Sequence, residues 1–323
     1  MKLILSMGIP KKNIQNLKEG FRFKDALVQI IDWQSKNVIK QISYFPPVNH
    51  LPKGLSIQFK GAYKYKYDFF VVTNTEVLIY DLLTWELKKV FSYPSFNDLH
   101  AVLYKDGKIY VCNTGLEMVQ VLNEEGDIIE EINMASTATW NRFKKHIDYR
   151  TIPTTKPHEV HINHLFEIDG EIWVTRGQKG DAVKLYDQKM RFQVVNHNRD
   201  EIIICHDGKV KGDFIYFTSV DGHLIIINKF SKKVEEYINL NKINPFHKRI
   251  PWTRGVEVVD RYAFVGATKM RPTKFKELAK WAIKGEPIQM SSCILQVDLE
   301  KKEIVEIYEM QKYKSAAIYS IIM

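Results

Sequence analysis

The chain has 323 residues and a mass of 37.9 kDa, with 45% hydrophobic, 12% aromatic and 26% charged residues. That balance is globular and excludes collagen, coiled coil and disorder. A mean hydropathy of −0.27, with no apolar run near ~18 residues, excludes a helical membrane span. The net charge is +9, so the surface should attract phosphates, sulfates, carboxylates or nucleic acid. No block of like charges stands out, and an ordinary lysine-rich solvated surface accounts for the charge equally well. The opening MKLILSMGIPKK lacks a small-residue cleavage site, so no secretory leader is expected. Cys112, Cys205 and Cys293 are far apart with no CxxC pair. They predict no disulfide framework and a reducing, cytoplasmic setting.

One pattern recurs six times: VQIIDWQSKNVIKQI, VLIYDLLTWELKKVF, VQVLNEEGDIIEEI, VKLYDQKMRFQVV, LIIINKFSKKVEEYI and ILQVDLEKKEIVEI. Each copy alternates apolar and polar residues on both arms of a turn begun by Asp32, Asp81, Asn123, Asp187, Asn228 or Asp298. Side-chain oxygens of Asp and Asn bond the backbone two residues on, so each copy predicts a β-hairpin. A short β-forming run precedes each hairpin: KLILSMG, DFFVVTN, KIYVCNTG, EIWVTRG, DFIYFTS and YAFVGAT. Before most of these lies a further strand: LSIQF, HAVLY, VHINHLFEI, EIIICHDG or RGVEVV.

Four-stranded units repeated six times predict an all-β, six-bladed β-propeller. The blades are predicted at 2–44 plus 315–322, 54–92, 98–134, 158–197, 201–240 and 252–310. Blade 1 lacks an upstream strand, and SAAIYSII at the C-terminus is an orphan. The orphan is predicted to complete blade 1, which closes the ring without an open seam.

Blade 3 carries Gly107-Lys-Ile-Tyr-Val, then Asn113-Thr114-Gly115, then Val119-Gln-Val-Leu-Asn-Glu-Glu-Gly126. It resembles the NHL-repeat and gluconolactonase-like six-bladed propellers. The stretch Trp252–Pro272, with Trp252-Thr-Arg254-Gly255 and Val265-Gly266 before Arg271, resembles a little-characterised bacterial propeller family. The resemblance implies the fold. Metal-dependent lactonases of the related group use acidic and Asn ligands around the channel. Blade 1 of this chain opens MKLILSMG and offers no equivalent of their early Glu.

Three long connections depart from the repeat, at 9–24, 135–157 and 269–290. All are predicted on the face where the innermost strands begin, here called the top. Long loops are where function concentrates. Within the third, TKFKELAKWAIKG has helical spacing and predicts a short amphipathic helix over the channel mouth.

The starts of the innermost strands are rich in polar residues: Asp98 and His100; His158, Glu159, His161, Asn163 and His164; His206 and Asp207; Trp252 and Arg254. Such starts converge on the axis. His100, His161 and His206 come from three consecutive blades and predict a catalytic centre, with Glu159 as an adjacent carboxylate. Three imidazoles beside a carboxylate suit a divalent metal with an open position, zinc or manganese for nitrogen ligands and calcium for oxygen. A metal-free polar site and purely structural histidines are the competing expectations. Arginines are scarce, ten against 37 lysines, yet Arg176, Arg254 and Arg271 fall on the predicted top. The guanidinium fork suits carboxylates and phosphates. Asn113, Asn163, Arg176, Trp252, Arg254, Lys269 and Arg271 are therefore predicted to bind substrate.

Cys205 beside His206 is not a thiol–imidazole pair, since adjacent strand residues point to opposite faces. The run AYKYKYDF reads as packing between blades rather than a nucleic-acid surface. The resulting expectation is a monomeric enzyme, a metal-assisted lyase or hydrolase, acting on a small anionic molecule without membrane or nucleic acid. The alternative is a non-catalytic propeller that binds a protein or glycan on the top face.

Overall fold

The computed structural model describes residues 1–12, 16–46, 54–195, 204–246, 248–269 and 290–323. Among them, six antiparallel four-stranded sheets are arranged as blades. Blade 1 contains β1 (Lys2–Pro10), β2 (Phe23–Asp32) and β3 (Val38–Tyr44). Blade 2 contains β4 (Ala62–Tyr65), β5 (Asp68–Val72), β6 (Val77–Asp81) and β7 (Leu87–Phe91). Blade 3 contains β8 (Leu99–Lys105), β9 (Lys108–Asn113), β10 (Met118–Leu122) and β11 (Ile128–Asn133). Blade 4 contains β12 (Ile162–Ile168), β13 (Glu171–Arg176), β14 (Asp181–Lys184) and β15 (Asp187–Gln193). Blade 5 contains β16 (Cys205–Lys211), β17 (Phe214–Ser219), β18 (His223–Asn228) and β19 (Val234–Asn239). Blade 6 contains β20 (Trp252–Val259), β21 (Tyr262–Thr268), β22 (Cys293–Asp298) and β23 (Glu303–Glu309). The last strand, β24 (Ala317–Ile322), pairs with β1 and completes blade 1.

The ring closes at the axis. Each innermost strand touches the next in the cycle β4, β8, β12, β16, β20, β24 and back to β4. Each inner edge is thereby flanked by the next blade, which limits edge-to-edge pairing with another chain. The core is six apolar layers, one between each pair of neighbouring blades. Middle strands are covered on both faces, which is why FFVV, VLIY and IYVC read as unbroken apolar runs and are buried. Outer strands such as β3 and β7 are mostly exposed. The tyrosines of β4 pack between blades as expected, with Tyr65 and Tyr104 rings 4.6 Å apart.

Five of the six hairpin turns follow the sequence reading. Asp32, Asp81, Asn228 and Asp298 each accept two backbone N–H groups from the turn, and Asn123 accepts that of Asp127. Blade 4 differs. Its turn is Leu185-Tyr186, and Asp187 begins β15 instead of opening the turn. Blade 2 also differs: Leu55–Phe59 is not a ladder strand. Ile57 and Phe59 donate to Phe23 and Met7 of blade 1, and the innermost strand starts later, at Ala62. The strand-like alternation of LSIQF reflects this packing between two blades.

Two of the long connections meet at the top. Lys156 of the second forms an ion pair with Glu19 of the first at 2.5 Å. The second connection carries its own small core, in which Tyr149 sits on Leu116 and Met118. Asn97 donates to the Tyr149 and Ile152 carbonyls, which anchors the connection to blade 3. The helix predicted within 273–285 lies outside the described residues. No helix among them is long and apolar enough to cross a membrane.

Candidate functional site

The innermost strands of blades 3 to 6 are kinked near their starts. Their registers slip between Leu99 and Ala101, Ile162 and His164, Asp207 and Lys209, and Thr253 and Val256. Beside these slips, Asp98, His161 and Asp207 take left-handed backbone (φ 51°, 50° and 69°), which a side chain adopts only at a cost. Such bulges re-aim side chains. Here they bring polar groups together at the axis. Gly255, at φ 81°, lies so close to the Ser320 and Ile321 backbone that a Cβ would press on it at 3.2–3.3 Å.

The histidines do converge. The His161 ring lies 5.0 Å from His100, 5.3 Å from His158 and 6.5 Å from His206. His100 Nδ1 bonds the Asp98 carbonyl at 2.7 Å. His158 Nδ1 and His161 Nδ1 are 3.0 Å apart. Burial pushes all of them, and His164, below the ordinary imidazole pKa, His161 and His164 to about 3. Arg254 adds to this for His100, His161, His164 and His206. The imidazoles are therefore neutral at neutral pH, each with one nitrogen able to accept a proton.

Two cations share this space. Lys60, only 2% exposed, is paired with Asp98. Burial pulls Lys60 below the usual ammonium range, opposed by Asp98; Asp98 stays below the usual carboxylate range because the Lys60 charge and hydrogen bond outweigh its own burial. Arg254 has no such partner. Its guanidinium lies 4.8 Å over the Tyr319 ring and makes no hydrogen bond or ion pair with any described residue. Asp207 is nearby, but its Oδ2 already accepts the Gly255 N–H at 2.9 Å and the Thr218 hydroxyl at 2.5 Å. Burial raises Asp207 to about 6, so it only partly neutralises the arginine. His164, Asp207, Gly255 and Ser320 help to line a separate cavity of about 440 Å³.

Other predicted residues fall elsewhere. Glu159 faces away from the imidazoles and accepts from Ser136 N and Oγ at 3.1 and 2.8 Å, so it is no carboxylate partner for them. Arg176 is spent in a two-pronged ion pair with Asp181, at 2.8 and 2.5 Å. Asn113 is fully buried and ties Ser95 to Gln120. Asn163 donates to the Cys205 carbonyl at 2.8 Å, while its Oδ1 is buried without a partner. Trp252 is 43% exposed, and Lys269 is exposed on the surface. Arg271 lies outside the described residues. Cys205 packs in the layer between blades 4 and 5, away from the channel, and burial pushes its thiol up.

The metal expectation does not fit the donors. Among the described residues no group of three or more His, Cys, Asp or Glu side chains is placed to hold a metal ion. Nitrogens of His100, His158 and His161 are already engaged with Asp98 and with each other, and the His161–His206 separation is wide for rings that share one ion.

Sequence reasoning missed Lys60 and Tyr319, and named His158 at the converging strand starts without giving it a role. Lys60 hid behind the misplaced strand of blade 2; the signal was a lone lysine after an apolar run, LSIQFK. Tyr319 follows from the closure itself, because a tail that forms an innermost strand must turn alternate residues to the channel. Its hydroxyl donates to Gln58 at 3.1 Å.

No protein-family model matches the chain, and none of the curated proteins does. Solved structures do. A protein of unknown function from Bacteroides caccae superposes with a TM-score of 0.62 at 10% identity, over 99% of this chain and 97% of that one. A chain of a nidogen/laminin complex does so with a TM-score of 0.57 at 8% identity, over 99% and 97%. At such identities the likeness extends to the fold. The NHL-repeat and gluconolactonase-like resemblance therefore stands for the propeller architecture alone.

Proposed function

We propose that the protein is an enzyme acting on a small anionic molecule at the channel mouth, where Arg254 anchors the anion and a neutral imidazole exchanges a proton with it. The observation that carries this reading is Arg254. A guanidinium half-buried at the channel mouth, with no ion pair among the described residues, is costly unless an anion completes it. Around it stand neutral imidazoles, the form a general base needs at neutral pH. Lys60 is already matched by Asp98, so the mouth's unmatched charge is that of Arg254. Proton abstraction or activation of water, the steps of lyases and hydrolases, suits this set. The proton transfers fall to the side chains themselves, since no group of donors among the described residues is placed to hold a metal ion.

Titration calorimetry with sulfate, phosphate and small carboxylates tests the reading. At least one anion should bind the native protein. A charge-assisted hydrogen bond contributes about 1.5–3 kcal/mol, so R254Q should weaken binding by roughly ten- to a hundredfold. An affinity indifferent to R254Q, or no binding, overturns the proposal. A ligand held at Arg254 but never transformed would favour the non-catalytic scaffold on the same face.

A further inference from the structure

The contacts of His158 fix which nitrogen of His161 carries the proton. Thr155 Oγ1 donates to the Gly115 carbonyl at 2.5 Å, so its one hydrogen is spent. His158 Nε2, 3.3 Å from that oxygen, must then be the donor, and a neutral His158 has a bare Nδ1. The His158–His161 contact joins two Nδ1 atoms. With one of them bare, His161 Nδ1 carries the hydrogen and donates it. His161 Nε2 is left with its lone pair and no hydrogen-bond partner among the described residues, on a ring only partly buried. His100 reaches the same tautomer alone, through Nδ1 to the Asp98 carbonyl.

We infer that Thr155 and His158 are positioning residues that hold His161 as the proton acceptor of the channel mouth. The chain runs from the Gly115 carbonyl through the Thr155 hydroxyl and His158 to His161. It follows the logic by which a third group orients a catalytic base in one tautomer, with an imidazole in the place usually taken by a carboxylate. A histidine is the weaker orienting group, since it carries no charge, but it also adds none beside Arg254. The backbone supports this assignment. His161 accepts left-handed φ, and the N–H groups of Val160 and His161 both donate to Glu117 Oε1, at 2.6 and 3.1 Å. Glu117 is in turn held by Arg142 at 2.7 Å. The segment is thus clamped from behind.

The inference rests on reading the mouth as a small-molecule site, but its test uses the ligand-free protein. Two-bond ¹H–¹⁵N spectra distinguish the imidazole tautomers. Native protein should show His161 and His100 protonated at Nδ1 and His158 at Nε2. T155V removes the acceptor of His158 and should mix the tautomers of both rings. H158A should free His161 to exchange between tautomers. H158N, whose amide oxygen can take the place of Nδ1, should restore the native His161 signal. Modification of His161 by diethyl pyrocarbonate, read by peptide mass spectrometry, should slow several-fold in H158A and recover in H158N. A native His161 protonated at Nε2 overturns the inference, as does a His161 signal unmoved by both T155V and H158A. If the tautomers hold and no anion binds, the positioning chain stands and the anion reading falls.

Discussion

The hairpin turns at the rim and the channel mouth at the axis solve the same backbone problem in opposite ways. At the rim, Asp or Asn satisfies the turn from within: Asp298 takes the N–H groups of Glu300 and Lys301 with one carboxylate oxygen and faces Arg261 with the other. Both regions place non-glycine residues in left-handed backbone, Lys36, Trp85, Lys232 and Lys302 in the turns and Asp98, His161 and Asp207 at the mouth; only at the mouth does this go with polar groups left incomplete. Arg254 makes no ion pair with any described residue, and His206 Nδ1 and Asn163 Oδ1 are buried without hydrogen-bond partners among the described residues. Natural chains break local rules mainly at functional sites. The rim is built for stability, and the mouth departs from that standard where a ligand would enter.

Removing 315–323 should do the most damage on the stability side. It strips β24 from blade 1, opens the ring at two contacts and exposes the layer between blades 6 and 1. A purified truncation should lose its cooperative thermal transition. One that melts like the full chain would show that closure is dispensable.

Acid should separate the two regions next. The buried histidines have folded pKa values below their unfolded value of about 6.5, so the unfolded chain binds more protons as pH falls. Stability should drop progressively from about pH 6.5 toward about pH 3, the value of His161 and His164. Asp207 acts oppositely: raised to about 6, it is protonated first in the folded state and adds stability over the upper part of that window. Five imidazoles outweigh one carboxyl. The rim joins only later, because turn hydrogen bonds hold Asp32 and Asp81 below the usual carboxylate range. Denaturant melts at pH 7, 5 and 4 should show most of the loss before the rim titrates. A flat profile between pH 6.5 and 4.5 would contradict neutral, buried imidazoles.

The smallest effect tests the turns themselves. N228A should cost about 0.5–1.5 kcal/mol, the range for lost hydrogen bonds. D187A should cost nothing measurable, since Asp187 does not open its turn. Equal losses in urea melts would refute the distinction.

The same contrast explains what could be read in advance. Hairpins are local, so VLIYDLLTWELKKVF states its own structure through alternation and one Asp. The closure was legible because an unpaired tail matched a blade with a missing strand. The mouth was legible only as a set of converging residues. That His100, His161 and His206 would meet followed from the strand starts. That Glu159 would turn to Ser136 did not, because Ser136 comes from the connection that leaves blade 3; the Arg176–Asp181 pair is local, the two facing each other across β13 and β14, and the sequence reading did not weigh it. Bulges of one residue decided which side chains faced the axis, and no local propensity announces them. Lys60 and Tyr319 were hidden for the same reason: each lies on an innermost segment whose register depends on the assembled ring.

Among the described residues the channel mouth leaves the charge of Arg254 without an ion pair, and the proposed function stands or falls on whether a small anion binds there. Crystals soaked in selenate and measured at the selenium absorption edge test it most directly. An anomalous peak within hydrogen-bonding distance of the Arg254 guanidinium, absent in R254Q crystals, is the expected result. Peaks confined to surface lysines, with Arg254 bare in the channel, would contradict it.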